Sequence, residues 1–135
     1  MFGISRLNKP QPTNIKKRVI ELQVAGWLGK TMSNKNWAAF TCPLPFIVFI
    51  FYWIGPSILS VAEEVRVHEN VHCLQDQGNL CFLVSWVKYY AEMIRQRWTH
   101  GSWMQAYQNN KYEIAAYAVE DKVLNGTEPY PDWAK

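Results

Sequence analysis

The chain has 135 residues, of which 49% are hydrophobic, 15% aromatic and 19% charged, with a net charge of +3. This length suits one compact domain, and seven Trp, seven Tyr and six Phe exclude a disordered chain because they supply ample apolar surface to bury. The three cysteines, Cys42, Cys73 and Cys81, match neither a disulfide framework nor a paired-cysteine metal motif.

The charge is unevenly distributed along the chain. Residues 1–35 carry seven Lys or Arg and one acid, Glu21, a balance of +6, whereas residues 36–135 carry seven bases and ten acids, a balance of −3. We therefore predict a basic N-terminal arm over 1–35, a metal-binding domain over 36–126 and an irregular tail over 127–135. The arm suits an acidic assembly partner or an anionic surface, or it keeps an apolar chain soluble, and we do not expect nucleic acid as a partner.

Two segments of the arm differ in their predicted structure. Pro10 and Pro12 favour an extended conformation over residues 1–14. Apolar residues recur at roughly helical spacing from Ile15 to Leu28, which predicts a short helix there.

A charge-free stretch follows from Asn36 to Ala62, and its centre, residues 46–54, is entirely apolar or aromatic. Its β-branched and aromatic residues favour a buried strand or hairpin. Its length also suits a membrane-inserted segment over 44–62, with the basic arm placing the N-terminus in the cytoplasm. Pro43, Pro45 and Pro56 interrupt the stretch, and both interpretations stay open.

Three helices are predicted in the remainder of the domain. Ser60 and Glu63 have the spacing of a capping box, so the first helix should run from about Val61 to Asp76 and end near Gly78. The other two are a helix from Leu80 to about Trp98, ended by His100 and Gly101, and a helix over Lys111–Leu124, capped by Asn110 and ended by Asn125 and Gly126. The predicted class is an α-rich α+β fold with a short apolar strand or hairpin before these helices.

The first of these helices contains the motif H-E-x-x-H, formed by His68, Glu69 and His72. A shuffled chain of this composition would contain about 0.003 such motifs, so chance is a poor explanation. Two histidines four residues apart lie on one helix face, and both imidazoles can reach one metal ion. Glu69 lies beside them, where it can take a proton from a metal-bound water.

A catalytic zinc ion needs a third protein ligand, which should come from a neighbouring helix. Glu113 shares a helix face with Ala116, Tyr117 and Glu120, and the small Ala116 would let this helix approach the motif closely. We predict Glu113 as the third ligand, with Glu120 in reserve. Glu92 is expected to be an exposed charge on the outer face of its helix.

H-E-x-x-H on one helix with a Glu on a later helix resembles the gluzincin branch of the zincin metallopeptidases. The short chain is similar to the minigluzincins and to small zincin-like proteins of bacteria and phages. The resemblance implies a zincin-like fold over about residues 44–124, a Zn²⁺ ion bound by His68, His72 and Glu113, and Glu69 as the general base that hydrolyses a peptide or protein substrate.

Two features depart from the gluzincin pattern. Gluzincins often have an Asp four residues after the ligand Glu, as a partner for a zinc-bound His, and Tyr117 occupies that position here. An entire additional helix also separates His72 from Glu113. Glu120, Gln75 or a backbone carbonyl would therefore have to orient the ligand histidine.

The sequence also offers candidates for stabilising a reaction intermediate and for packing around the site. The oxyanion of a reaction intermediate could be stabilised by His100, Tyr107, Tyr112 or Tyr117, although we expect His100 to be an exposed loop residue. The aromatic residues of the second and third helical regions are expected in the core or in an interface rather than as substrate platforms: Trp86, Tyr89, Tyr90 and Trp103.

Three functions are compatible with these patterns. The first is a zinc-dependent metallopeptidase acting through Glu69. The second is a structural subunit of a larger assembly, such as a phage virion, with a catalytically silent zinc site. The third is a membrane-anchored peptidase with its span at 44–62, and the localisation stays open among cytoplasm, virion and membrane.

Overall fold

The fold combines a four-stranded sheet with five helices in the described residues, which confirms the mixed α+β class. The computed structural model describes residues 2–9, 15–35, 37–56, 58, 60–79 and 81–126. The strands are β1 (Phe2–Arg6), β2 (Arg18–Ala25), β3 (Ala39–Pro43) and β4 (Ile47–Trp53). The helices are α1 (Gly26–Asn34), α2 (Glu63–Gln77), α3 (Phe82–His100), α4 (Trp103–Asn109) and α5 (Lys111–Leu124).

The sheet has the strand order β1-β2-β4-β3. The central pair, β2 and β4, is parallel, and each outer strand pairs antiparallel with its neighbour. The apolar centre of the charge-free stretch thus forms strand β4, as the strand interpretation predicts, and β4 forms a hairpin with β3, which lies earlier in the same charge-free stretch. None of the described helices combines the length and the apolar content that a membrane-spanning helix requires.

The core lies between one face of the sheet and helix α2. Val48, Ile50 and Tyr52 alternate along β4 and are completely or almost completely buried, which is the two-residue period of a strand with one face in the core. Cys73 of α2 belongs to the same cluster. This packing fixes the position of α2, which carries the H-E-x-x-H motif.

A buried ion pair also holds α2 against the sheet. The guanidinium of Arg66 on α2 donates from Nε and Nη2 to the two carboxylate oxygens of Glu21 on β2, at 2.7 and 2.8 Å. The Tyr52 hydroxyl donates to the same carboxylate at 2.8 Å. Because a buried charge without a partner is costly, this network sets how α2 lies on β2 and β4.

The predicted helix over 15–28 is wrong. Residues 18–25 form β2 instead, which pairs with β4 from Arg18↔Ile47 to Val24↔Trp53, and α1 begins only at Gly26. The apolar spacing of this segment fits both periods, and pairing along β4 decides in favour of the strand. The extended conformation predicted for 1–14 is found in β1, and residues 10–14 lie outside the described residues.

The three predicted helices are found with ends within two residues of the prediction, but the capping box predicted at the start of α2 is wrong. Ser60 does not cap it: Ala62 occupies the N-cap position, with no side-chain hydrogen bond. Asn110 caps α5 as predicted, accepting from the Tyr112 amide, and Gly101 ends α3 with a φ of 83°. Helix α4 was not predicted, and the predicted irregular tail at 127–135 lies outside the described residues.

Candidate metal centre

Helices α2 and α5 pack closely enough to share one site. Ala116 on α5 is completely buried, and Val67 of α2 packs against Val123 of α5. The small side chain at 116 removes bulk from the helix interface, as predicted. Glu113, one turn before it on the same face, is therefore placed opposite the two histidines of α2.

Three predicted ligand atoms converge between these helices. His68 Nε2 lies 3.0 Å from Glu113 Oε2, His72 Nε2 lies 3.3 Å from the same oxygen, and the two Nε2 atoms lie 3.3 Å apart. All three residues are buried or nearly so. The structure thus brings His68, His72 and Glu113 together as one candidate metal-binding group.

The hydrogen bonds of the two imidazoles determine which atoms face the centre. His68 Nδ1 contacts Glu120 Oε2 at 3.2 Å, and His72 Nδ1 contacts Gln75 Oε1 at 2.9 Å. Gln75 donates its amide Nε2 to the Tyr112 carbonyl, so its Oε1 is the acceptor for His72. Both Nδ1 atoms therefore carry a proton, and both Nε2 atoms face Glu113.

Two nitrogen lone pairs and a carboxylate oxygen in contact repel one another unless a cation lies among them. Two ligands about 2.0–2.1 Å from a tetrahedral zinc ion lie roughly 3.3–3.4 Å apart, close to the separations found here. The donor set, two imidazoles and one carboxylate, also suits zinc. The residues present therefore fit this ion, although such a donor set also binds other divalent metals.

Charge coupling shapes the protonation of the metal-free cluster. Burial disfavours the charged form of His68, but hydrogen bonds to Glu113 and Glu120 outweigh it and raise the pKa to about 9. The pKa of His72 is raised as well, with burial opposed by its hydrogen bond to Glu113. The pKa of Glu113 lies well below its usual value, because the contacts with both histidines outweigh burial. Without a metal, protons thus take the place of the positive charge that the cluster demands.

Glu69, the predicted general base, lies in the same cleft as the ligands. It is only 7% exposed, and burial, partly offset by the neighbouring histidines, raises its pKa above the usual value. The Thr41 hydroxyl on β3 donates to its Oε2 at 2.5 Å. A carboxylate with a raised pKa accepts a proton more readily than a carboxylate with the usual pKa, which suits general-base chemistry.

Tyrosines surround the ligands. The Tyr89 hydroxyl on α3 donates to Glu113 Oε1 at 2.7 Å, which leaves Oε2 for the metal. The Tyr117 ring packs edge-on against the His68 ring at a centroid distance of 4.3 Å, and its hydroxyl lies 3.1 Å from that of Tyr107. Glu120, rather than residue 117, thus accepts the hydrogen bond from His68.

Other sequence predictions are corrected by the structure. Glu92 is not an exposed charge: it is 6% exposed, and hydrogen bonds from Arg95 and Gln96 lower its pKa to about 2. His100 is exposed, as expected, but it ends α3 rather than lying in a loop. Tyr90 and Trp103 are 45% and 59% exposed, so they do not lie in the core, and an interface position stays a prediction for them. The cleft is lined by all four aromatic residues that were expected elsewhere: Trp86, Tyr89, Tyr90 and Trp103.

The sequence did not predict the contact of Thr41 with Glu69 or the contact of Tyr89 with Glu113. Thr41 belongs to an edge strand, 28 residues from the glutamate it contacts, and no local pattern connects the two. Tyr89 looks like an ordinary apolar position of α3 in the sequence. Only the packing of α3 against α5 places its hydroxyl on Glu113.

No family model, no curated protein and no solved structure matches the chain. The interpretation of the site therefore rests on the donor atoms described above.

Proposed function

We propose that the protein is a zinc-dependent metallopeptidase of the gluzincin type, with a zincin-like fold. The observation that carries the proposal is the convergence of His68 Nε2, His72 Nε2 and Glu113 Oε2 within 3.3 Å, with both imidazoles oriented by Nδ1 hydrogen bonds. A buried glutamate next to this group completes the set that hydrolysis of an amide requires.

His68, His72 and Glu113 would hold the zinc ion. Bound there, the ion would acidify a water ligand and polarise the carbonyl of the scissile bond. Glu69 takes the proton of the attacking water and later delivers it to the leaving amine. The Thr41 hydroxyl holds the Glu69 carboxylate in position, and the raised pKa of Glu69 favours proton uptake.

The paired hydroxyls of Tyr107 and Tyr117 supply donors near the ligands. Burial raises the pKa of both phenols, so both stay protonated at neutral pH. A neutral phenol can donate a hydrogen bond to the oxyanion that forms when the carbonyl is attacked. Tyr117 lies against His68 and is the better placed of the two.

The substrate class follows from the shape of the cleft. Its volume is about 1130 Å³, above the usual range of about 300–1000 Å³ for small-molecule sites. Strand β3, an edge of the sheet, lines it through Phe40 and Thr41, and an edge strand offers unpaired backbone groups to an extended peptide. A peptide paired along β3 would lie beside Glu69.

The test combines zinc binding with peptide hydrolysis. The purified protein should retain about one zinc ion per chain, and His72→Ala should lose it. Glu69→Gln should keep the zinc but lower the hydrolysis of a mixture of internally quenched peptides by about 10²–10⁴-fold. Glu63→Gln, the same substitution in the first turn of α2, is the matched control and should change neither quantity.

Two results would contradict the proposal in different ways. A parent protein that binds no zinc would remove the metal site altogether. A parent that binds zinc but cleaves no peptide would favour the silent structural zinc site over the enzyme.

A further inference from the structure

Helix α3 carries a row of exposed apolar side chains along its whole length, which we call the α3 ridge: Leu83, Val87, Tyr90, Ile94 and Trp98. These residues are 58%, 67%, 45%, 60% and 90% exposed. They are spaced three or four residues apart, so they lie on one face of the helix. At about 1.5 Å per residue the row is roughly 22 Å long. A single exposed apolar residue is ordinary, but a continuous row of five marks a binding surface.

The opposite face of α3 contacts the body of the protein. Glu92 and Gln96 are 6% and 8% exposed and are hydrogen bonded to each other, and Tyr89 reaches Glu113 in the metal centre. Helix α3 is therefore held in place by one face while the ridge projects outward. The ridge is convex, because it is the outer surface of a single helix.

The charges beside the ridge are all positive. Helix α3 contains three basic residues, Lys88, Arg95 and Arg97, and one acid, Glu92, for a formal charge of +2. Glu92 is buried, but its carboxylate accepts from the exposed guanidinium of Arg95, and Lys88 is exposed as well. Helix α3 thus presents an apolar row beside exposed cations, and it keeps its formal charge of +2 after the Arg95–Glu92 pair is counted.

We propose that the α3 ridge binds the surface of an anionic lipid bilayer, with α3 lying parallel to the membrane plane. Apolar side chains on one face of a helix enter the boundary between headgroups and acyl chains, and flanking Lys and Arg attract anionic headgroups. Trp98, which is 90% exposed, has the amphipathic ring that favours this depth.

A second copy of the chain is a poorer occupant of this surface. Two ridges packed face to face would bring together two α3 helices that each carry a formal charge of +2, so the like charges would repel. A bilayer needs no groove to accept a convex ridge, and it supplies the negative charge. The proposal is independent of the metal centre and of peptidase activity.

The test measures binding of the full chain to lipid vesicles. We expect it to co-sediment with vesicles of phosphatidylcholine and phosphatidylglycerol in equal parts, and far less with phosphatidylcholine alone. Added salt should weaken the binding, because it screens the basic flanks. The double variant Val87→Ser/Ile94→Ser should lower the partition coefficient by about tenfold or more, since two apolar side chains leave the interface.

The matched control is Ile4→Ser/Leu124→Ser, which replaces two equally apolar residues that are each 52% exposed outside α3. It should bind the vesicles like the parent, and far-ultraviolet circular dichroism should show that both double variants are folded. No binding to the anionic vesicles, or equal binding by both double variants, would overturn the proposal. So would a dimer in sedimentation velocity that only the α3 variant abolishes, because the ridge would then be an interface between copies.

Discussion

Helices α2 and α3 are adjacent in the sequence, and each departs from the usual rule that apolar side chains are buried and polar ones exposed. The two departures are of opposite kinds. Helix α2 buries charged and polar residues, among them Arg66, His68 and Glu69. Helix α3 exposes large apolar residues along its outward side. Buried polar groups and exposed apolar rows are the departures that carry functional information, because neither helps the chain to fold. Each of our two proposals rests on one of these departures: the metal site on the buried polar residues of α2, and the lipid surface on the exposed apolar row of α3.

The polar residues of α2 are tolerated because each major charge has a partner. Arg66 pairs with Glu21, and Asp76 accepts from Lys17 Nζ at 2.8 Å. Among the described residues of α2, His68 and His72 instead turn their Nε2 atoms toward a carboxylate, and under our proposal a metal ion would supply the positive charge there. Substitutions in the ion pairs of α2 should therefore change the free energy of unfolding, whereas substitutions at the candidate metal centre should change zinc binding.

The largest effect is expected at Arg66. Replacing it with Met leaves the buried Glu21 carboxylate with Tyr52 as its remaining side-chain partner among the described residues, which should lower the free energy of unfolding by about 3–5 kcal/mol. Urea denaturation of the metal-free protein measures this. The control is Lys88→Met, which removes an exposed hydrogen bond from Lys88 Nζ on α3 to Asn79 Oδ1 and should cost less than about 0.5 kcal/mol. Equal losses at the two sites would show that the buried pair is not special.

A smaller effect is expected from Glu120, which touches no metal ligand atom but accepts from His68 Nδ1. Glu120→Gln should weaken zinc binding by about 10–100-fold, because the carboxylate orients the imidazole and increases its basicity. Competition with a chromophoric chelator gives the zinc dissociation constant. Asp121→Asn, at the next and exposed position of α5, should leave it unchanged. If Glu120→Gln binds zinc like the parent, the hydrogen bond to His68 has no part in the site.

The two helices also show how far a sequence can predict this site. The H-E-x-x-H spacing and the face shared by Glu113 and Ala116 are local helical patterns, and they led to all three predicted ligands. Gln75 and Glu120 were named, with a backbone carbonyl as the alternative, because the gluzincin resemblance calls for a histidine partner that Tyr117 does not supply. Thr41 and Tyr89 were missed because their contacts join β3 to α2 and α3 to α5, and such contacts depend on tertiary packing.

The same limit explains the errors in the fold. Asn110 and Gly101 predicted helix ends correctly, because caps act within one turn. The segment that became β2 carries apolar residues compatible with either period, and only pairing with β4 selects the strand. Glu92 was assigned to the surface by its charge, although its hydrogen bonds to Arg95 and Gln96 allow it to be buried.

The smallest expected effect comes from replacing one valine with alanine on each helix. Val67 on α2 is 1% exposed, whereas Val87 on the α3 ridge is 67% exposed. Val67→Ala removes two buried methyl groups and leaves a small cavity, so it should cost about 1–2 kcal/mol of unfolding free energy. Val87→Ala should change stability by less than about 0.5 kcal/mol, because little packing is lost and Ala is the better helix former. Urea denaturation measures the free energy of unfolding of both variants. If Val87→Ala lowered it as much as Val67→Ala, the α3 ridge would be packed in solution and would not be a free surface.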